Sequence, residues 1–297
     1  MAAVTPGTPG NEFNLATAAE RQPGSTFKPI VLAAAVAEGM NPWATRYLSA
    51  PFSYAPLQWH VRSYDGSYSG PETVAAATLH SDNTVYARLA LDVGSDAIVA
   101  MAQTLGVRTQ LQSTPSLALG TAAVTPLDMA SVYATLAAGG VYSKPLAIRR
   151  VVFRGGKVGG GWDEPQRTRV VPDWVAATVT RVLEENMLHG TGVGAHVPGR
   201  ADAGKTGTTD DYADAWFCGY TPSLEATVWI GYPKGEIPML DVHGAAVSGP
   251  TLPATAWRLF MERALEGSAN ATFPAPLSPA QFAPWNGHYA YTATSSP

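Results

Sequence analysis

Three short motifs, in fixed order and far apart along the chain, constrain its fold most: Ser25-Thr26-Phe27-Lys28, Ser81-Asp82-Asn83 and Lys205-Thr206-Gly207-Thr208. Each supplies groups of little use alone. A serine hydroxyl is a weak nucleophile until a base takes its proton, and Lys28 lies one helical turn on, where side chains at i and i+3 share a face. The second motif offers a proton-relaying hydroxyl and an amide, the third a second lysine beside hydroxyls. Used together for acyl transfer, they require a helix start, a corner and a strand to meet at one cleft. An S-x-x-K match by itself is expected about once in a chain of this length, whereas all three motifs in order are far rarer. Only five lysines occur (Lys28, Lys144, Lys157, Lys205 and Lys234), and two of them sit in motifs.

Local patterning places each motif on a suitable element. The Ala-, Leu- and Val-rich run Ile30 to Glu38 reads as a helix with Ser25 in its first turn, and Pro29 is tolerated only near such a start. The serine then stands at the positive end of a helix dipole, which favours a developing alkoxide and resists protonation of a nearby lysine. Pro71 to Leu79 and Thr84 to Leu91 read as two helices joined at a tight corner by Ser81-Asp82-Asn83. Asp82 reads as the cap of the second helix rather than as a chemical participant. Ser95 to Leu105 and Pro126 to Ala138 continue an all-helical lobe, stopped by Gly139-Gly140.

The pattern then changes. Ala147 to Val158 predicts a strand and turn, and Pro172-Asp173 opens a helix with Trp174, Val175, Val179, Val182 and Leu183 on one face, closed by Gly190. Lys205 to Thr209, Ala215 to Tyr220 and Ala226 to Tyr232 predict three strands at hairpin spacing. A glycine inside a strand, as at Gly207, marks close approach by a ligand or another backbone. An extended peptide adding to this strand's free edge would bring a terminal carboxylate near Thr206, Thr208 and the Lys205 ammonium. A last helix, Leu252 to Leu265, is expected to turn Trp257, Phe260, Met261 and Ala264 to the sheet. Beyond Gly267 the chain is rich in Pro, Ser and Ala without periodicity and reads as a mobile tail.

Composition excludes several classes. With 297 residues, 46% hydrophobic, the chain can bury one large core, and a net charge of -4 with 14% charged residues gives no basic surface for nucleic acid. The longest apolar stretch, Ile30 to Ala37, is far short of the roughly 20 residues of a membrane span, and Met1 to Val4 shows no signal peptide. The lone Cys218 lies in an apolar run and reads as a buried small hydrophobe. His60, His80, His189, His196 and His243 show no H-x-x-x-H spacing, so no metal or other cofactor is expected.

The runs Gln22-Pro23-Gly24-Ser25-Thr26-Phe27-Lys28-Pro29, Ser81-Asp82-Asn83-Thr84-Val85, Ser116-Leu117-Ala118-Leu119-Gly120, Thr125-Pro126-Leu127-Asp128-Met129-Ala130 and Lys205-Thr206-Gly207-Thr208-Thr209 resemble the transpeptidase domain of class A penicillin-binding proteins. So does Asp214-Ala215-Trp216-Phe217-Cys218-Gly219-Tyr220-Thr221-Pro222, which no catalytic requirement explains. The resemblance implies an α/β (α+β) fold, a mostly antiparallel sheet flanked by helices beside an all-helical subdomain, with the cleft between them. It implies a domain over residues 12–266, a remnant or trimmed strand region at 1–11 and a tail at 267–297.

The same resemblance implies a serine D,D-transpeptidase acting on peptidoglycan stem peptides and acylated by β-lactams. Ser25 would be the nucleophile, Lys28 the base, Ser81 the proton relay and Asn83 the holder of the substrate amide. Lys205, Thr206, Gly207 and Thr208 would bind substrate, and the backbone N–H groups of Ser25 and Thr208 would form the oxyanion hole. The full-length protein would carry a glycosyltransferase domain and a membrane anchor and work on the extracytoplasmic face of the bacterial membrane. Two departures stand out. Both of those parts are missing from the sequence, which therefore looks like a fragment, and only Ala2 to Val4 could remain of an opening strand pair, so the sheet is expected to lack an edge strand.

Rival readings differ in what attacks the acyl-enzyme. A β-lactamase needs a glutamate that positions water, and Gln112 to Thr125 contains none. A D,D-carboxypeptidase or other serine amidohydrolase would favour hydrolysis over aminolysis, and a non-catalytic β-lactam sensor would acylate slowly without turning over peptide. Trp59, Tyr64, Tyr68 and Tyr212 are candidates for lining the cleft or for ordinary packing.

Overall fold

The computed structural model describes residues 13–148, 150–159 and 165–291. The expected strand remnant at Ala2 to Val4 lies outside them. At the centre is α2 (Lys28–Ala37), buried from Lys28 to Val36. A helix apolar on every side is stable only when surrounded, and α2 is enclosed by both lobes. A single turn, α1 (Leu15–Ala18), precedes it.

On one side of α2 lies a helical lobe of α3 (Val74–His80), α4 (Asn83–Val93), α5 (Ser95–Leu105) and α6 (Pro126–Ala137). A capping box formed by Thr125 and Asp128 starts α6. Two small antiparallel pairs border this lobe. Strand β1 (Arg46–Ser49) pairs with β4 (Gly70–Thr73), and β2 (Phe52–Tyr54) with β3 (Trp59–Val61). The helix expected from Pro71 therefore begins later. Pro71 and Glu72 are taken by the β1 ladder, and the Thr73 hydroxyl accepts from Ala76 N to open α3 at Val74.

On the other side, β9 (Ala203–Thr208), β10 (Asp214–Tyr220) and β11 (Glu225–Gly231) form an antiparallel sheet in the order β11-β10-β9. Between the lobes in sequence come β5 (Val141–Ser143), paired with β8 (Arg167–Arg169), and the hairpin of β6 (Val151–Val152) and β7 (Val158–Gly159). One sheet face, with Trp216, Cys218 and Tyr220 all fully buried, meets α6 and α7 (Asp173–His189), Tyr220 touching Tyr133 of α6 and Thr180 of α7. The opposite face is covered by α8 (Leu252–Ala264), with Trp257 against Phe217, ring centroids 5.1 Å apart.

Two expectations are corrected here. The buried stripe of α8 is Ala254, Trp257, Met261 and Leu265, at spacings of three and four, which leaves Phe260 half exposed and Ala264 in solvent at its edge. The segment from Gly267 to Tyr291 has no regular structure, yet it is a strap rather than a loose tail. It packs Phe273 on Tyr220 and Phe282 on Trp174 and hydrogen-bonds Ala283 N to Gly39 O at 2.9 Å. Trp285 Nε1 donates to Tyr47 Oη, and Tyr47 and the Tyr289 N–H both donate to Asp92 at the end of α4. Aromatic anchors spaced irregularly leave no periodic signal but bury real area.

Candidate active site

Ser25 lies in a 3-10 turn, Gly24–Phe27, that runs directly into α2. The turn is fixed from three sides. Arg21 and Val124 exchange two backbone hydrogen bonds of 2.9 Å, Trp216 Nε1 donates to Gln22 O at 2.8 Å, and Tyr133 Oη donates to Thr26 O at 2.9 Å. Gly120 also presses on it, since a Cβ there would stand 2.1 Å from Gly24 O. The half-buried serine hydroxyl is thus presented by a backbone with little freedom.

Lys28, the first residue of α2, is completely buried. Its Nζ donates to Ser81 O at 2.6 Å and to Asn83 Oδ1 at 2.8 Å, and lies 3.2 Å from Ser81 Oγ. From the facing strand, Lys205 Nζ donates to the same Ser81 Oγ at 2.8 Å. One hydroxyl therefore stands between two buried lysines. Burial, and then the Lys205 cation, hold Lys28 well below the usual lysine range, against the opposing pull of Asp82. Burial lowers Lys205 to about 7. A neutral Lys28 can satisfy these three oxygens, its two N–H groups serving Ser81 O and Asn83 Oδ1 while the Ser81 hydroxyl turns its own proton to the lone pair. Among the described residues none of the Lys28 hydrogen bonds reaches the Ser25 hydroxyl.

The corner holds the predicted residues as expected. Ser81 is the left-handed C-cap of α3, at φ 59°, and Asp82 caps α4 by accepting from Thr84 N and Val85 N. Asn83 opens α4, its amide directed to Lys28 and, at 3.4 Å, to Arg62 O. On β9, Lys205 and Thr206 are buried, and Thr206 Oγ1 donates to Thr191 Oγ1 at 2.8 Å. The close approach at Gly207 comes from the protein itself, because a Cβ there would meet Pro23 O at 2.4 Å and Thr26 N at 3.1 Å. That absence of a side chain lets β9 lie against the serine turn and sets Thr208 beside Gly24. Of the candidate aromatics, Tyr64 and Tyr212 meet edge to face, centroids 5.9 Å apart. Tyr64 lies two residues after Arg62, whose carbonyl accepts from Asn83, and Tyr212 lies in the Asp210–Tyr212 turn after β9, so the pair joins the segment beside the corner to the one that follows β9.

Other residues at the site carry no sequence signal. Thr191 touches both Lys205 and Thr206. It is placed by the buried Asn186 of α7, whose Oδ1 accepts from Thr191 N at 3.1 Å and whose Nδ2 donates to Gly204 O at 2.8 Å. Gly249 N donates to Thr208 Oγ1 at 3.0 Å, which orients that hydroxyl from beyond the strand. Only a helix end near Gly190 hinted that α7 would deliver anything here.

A family model described as the penicillin-binding protein transpeptidase domain matches residues 5–251. The chain belongs to this family. Among its curated relatives, penicillin-binding protein 1A of Aquifex aeolicus is 34% identical over 274 residues, 90% of this chain and 36% of the relative. Penicillin-binding protein 1A of Mycobacterium tuberculosis is 34% identical over 294 residues, 91% of this chain and 35% of the relative. The chain thus spans about a third of the length of these relatives. Of solved structures, the Mycobacterium tuberculosis PonA1 protein in complex with penicillin V superposes with a TM-score of 0.83 at 32% identity, covering 92% of this chain and 76% of that one. Penicillin-binding protein 1A from Haemophilus influenzae gives 0.78 at 25% identity, covering 97% and 50%. The architecture is that of these transpeptidase domains. Among the described residues no helix is long and apolar enough to cross a membrane.

Proposed function

We propose that this chain is a serine D,D-transpeptidase that cross-links peptidoglycan stem peptides and is acylated by β-lactams. The observation that carries the reading is the Ser81 hydroxyl held at 2.8 and 3.2 Å from two buried lysines, beside the turn that presents Ser25. Neutral Lys28 takes the Ser25 proton as Oγ attacks the carbonyl between two terminal D-alanines. The N–H groups of Ser25 and Thr208 stabilise the oxyanion, a contribution of about 3 kcal/mol per donor in comparable sites. Collapse breaks the C–N bond, and the proton passes from Lys28 through Ser81 to the departing D-alanine nitrogen. An amine from a second stem peptide then attacks the acyl-enzyme and regenerates the Ser25 hydroxyl. Lys205, Thr206 and Thr208 bind the donor's terminal carboxylate, with the donor extended along β9, an edge of the sheet.

The catalytic unit is assigned to residues 12–266, followed by a segment at 267–297 whose described part, to Tyr291, is the strap. The relatives' greater length supports a full-length protein with a glycosyltransferase domain and a membrane anchor, acting on the extracytoplasmic face. The test is product analysis by mass spectrometry with a D-Ala-D-Ala-terminated stem peptide and an amine acceptor. D-Alanine release with acyl transfer to the amine, lost in Ser25→Ala, is expected. Hydrolysis alone would assign a carboxypeptidase instead, and no release by folded protein would refute both.

A further inference from the structure

Behind the Ser81–Asn83 corner lies a buried acid that the reaction above does not use. Glu72, on β4 opposite Tyr47, is 7% exposed, and its Oε1 is buried with no hydrogen-bond partner. Tyr47, Ser49 and Glu72 share the buried face of the β1–β4 pair, and Ser49 Oγ donates to Asp82 Oδ2 at 2.5 Å, which sets the Glu72 carboxyl beside that of Asp82. Two neighbouring carboxylates in a buried site repel each other when both are ionised and offer each other only acceptors, so the pair favours holding one proton. Asp82 is the ionised member. Burial opposes its charge, but Ser49, Val85 and Thr84 donate to it and hold it below the usual carboxylate range. Its Oδ1 alone accepts from Thr84 N at 2.6 Å, Thr84 Oγ1 at 2.7 Å and Val85 N at 3.0 Å. Among the described residues no donor reaches Glu72 Oε1, and the proton stays with Glu72.

We propose that Glu72 is a positioning residue for the Ser81–Asn83 corner: as a neutral acid it donates its proton to Asp82 and so steadies the cap from which Ser81 and Asn83 project. The proposal rests on the catalytic reading above. Arg88 and Lys28 both feel the Asp82 charge, and the other charged groups around this pair are engaged elsewhere. On α4, Arg88 donates to Ala50 O and Thr84 O and lies over the Phe52 ring, and Asp92 receives the strap. On β1, Arg46 donates to Pro71 O and Tyr47 donates to Asp92. On α3, His80 faces solvent, and on α2, Lys28 feels the Asp82 charge.

Loss of the Glu72 proton would act twice. It would set two negative charges against each other at the α4 cap, and it would add a second anion to the field that already raises the proton affinity of Lys28. Both weaken Ser25 activation. Burial and the neighbouring Asp82 raise Glu72 to about 7, which puts this loss in the neutral range.

The test compares the intact chain with Glu72→Gln, whose amide donates to Asp82 at every pH, and with Glu72→Ala, which donates at none. Carboxyl titration by carbon-13 NMR should show one glutamate with a midpoint near 7 that disappears in Glu72→Gln. Benzylpenicillin acylation of Glu72→Gln relative to wild type should rise about threefold to tenfold between about pH 6 and about pH 8.5. Glu72→Ala should be slow across that range. A Glu72 that titrates below about 5, or a Gln-to-wild-type ratio independent of pH, would overturn the proposal. Should folded wild type never acylate, the catalytic reading fails and the positioning role falls with it; a midpoint still near 7 would then mark the shared proton as purely structural.

Discussion

The two walls of the cleft present the same side chain in different surroundings. On the helical wall Lys28 faces a carbonyl and an amide oxygen, and the cation opposite adds to its desolvation. On the sheet wall Lys205 is just as buried, but its partners are mainly hydroxyls, and desolvation alone lowers it, to about 7. Two lysines sharing one hydroxyl do not both hold a proton easily, and the Lys205 charge lowers the affinity of Lys28 for one. In the proposed mechanism these surroundings separate their tasks: the helical wall supplies a base, the sheet wall a cation.

Arginine replacements break this comparison if it is wrong. Arginine cannot give up its proton, so Lys28→Arg should be as poor as Lys28→Met, each losing roughly 10³-fold in penicillin acylation rate. Lys205→Arg keeps a cation and should stay within about 30-fold of wild type. Stopped-flow acylation checks both, and an active Lys28→Arg would remove Lys28 as base.

The next effect concerns how the walls are joined. Gly120 sits at φ +74° against the Gly24 carbonyl, so Gly120→Ala should cost about 3 kcal/mol in urea unfolding and slow acylation by displacing the Ser25 turn. An unchanged acylation rate would show that the turn does not depend on that contact.

Stability against pH sharpens the contrast further. The folded pKa of Lys205 is lowered from 10.5 to about 7, so between those values the unfolded chain binds more protons than the native one. Stability should therefore rise with pH across that window, and the cost of a buried cation is greatest below about 7. Lys205→Met, which removes the charge, should be more stable than wild type by on the order of 1–2 kcal/mol near neutral pH while losing activity, seen by thermal unfolding. A less stable variant would mean that the Lys205 hydrogen bonds outweigh its desolvation. The smallest effect lies away from the cleft: Trp285→Ala should cost about 1–2 kcal/mol of stability and change acylation less than about threefold.

Much of this was legible in the sequence because the chemistry is carried by side chains at short, fixed spacings. The helix start at Ser25, the corner at Ser81-Asp82-Asn83 with Asp82 as cap, and three strands at hairpin spacing all follow from local rules. The supporting groups do not. Thr191 reaches Lys205 only because α7 and its buried Asn186 bring it there, and Gly249 meets Thr208 from a loop that carries no pattern. Gly207 was legible as a point of close approach, but what approaches it, the serine turn, is a tertiary fact. The strap failed as a sequence reading for the same reason: Phe273, Phe282, Trp285 and Tyr289 find partners more than a hundred residues away in places and share no period. Phe260 shows the converse error, an apolar residue one step off the buried stripe of α8.

The most direct measurement is intact-mass spectrometry of the protein after incubation with benzylpenicillin, with peptide mapping of the adduct, on wild type and Ser25→Ala. A stoichiometric, long-lived acyl adduct on Ser25 that is absent from the variant is the expected result. An adduct that persists in folded Ser25→Ala, or none in folded wild type, would contradict Ser25 as the nucleophile.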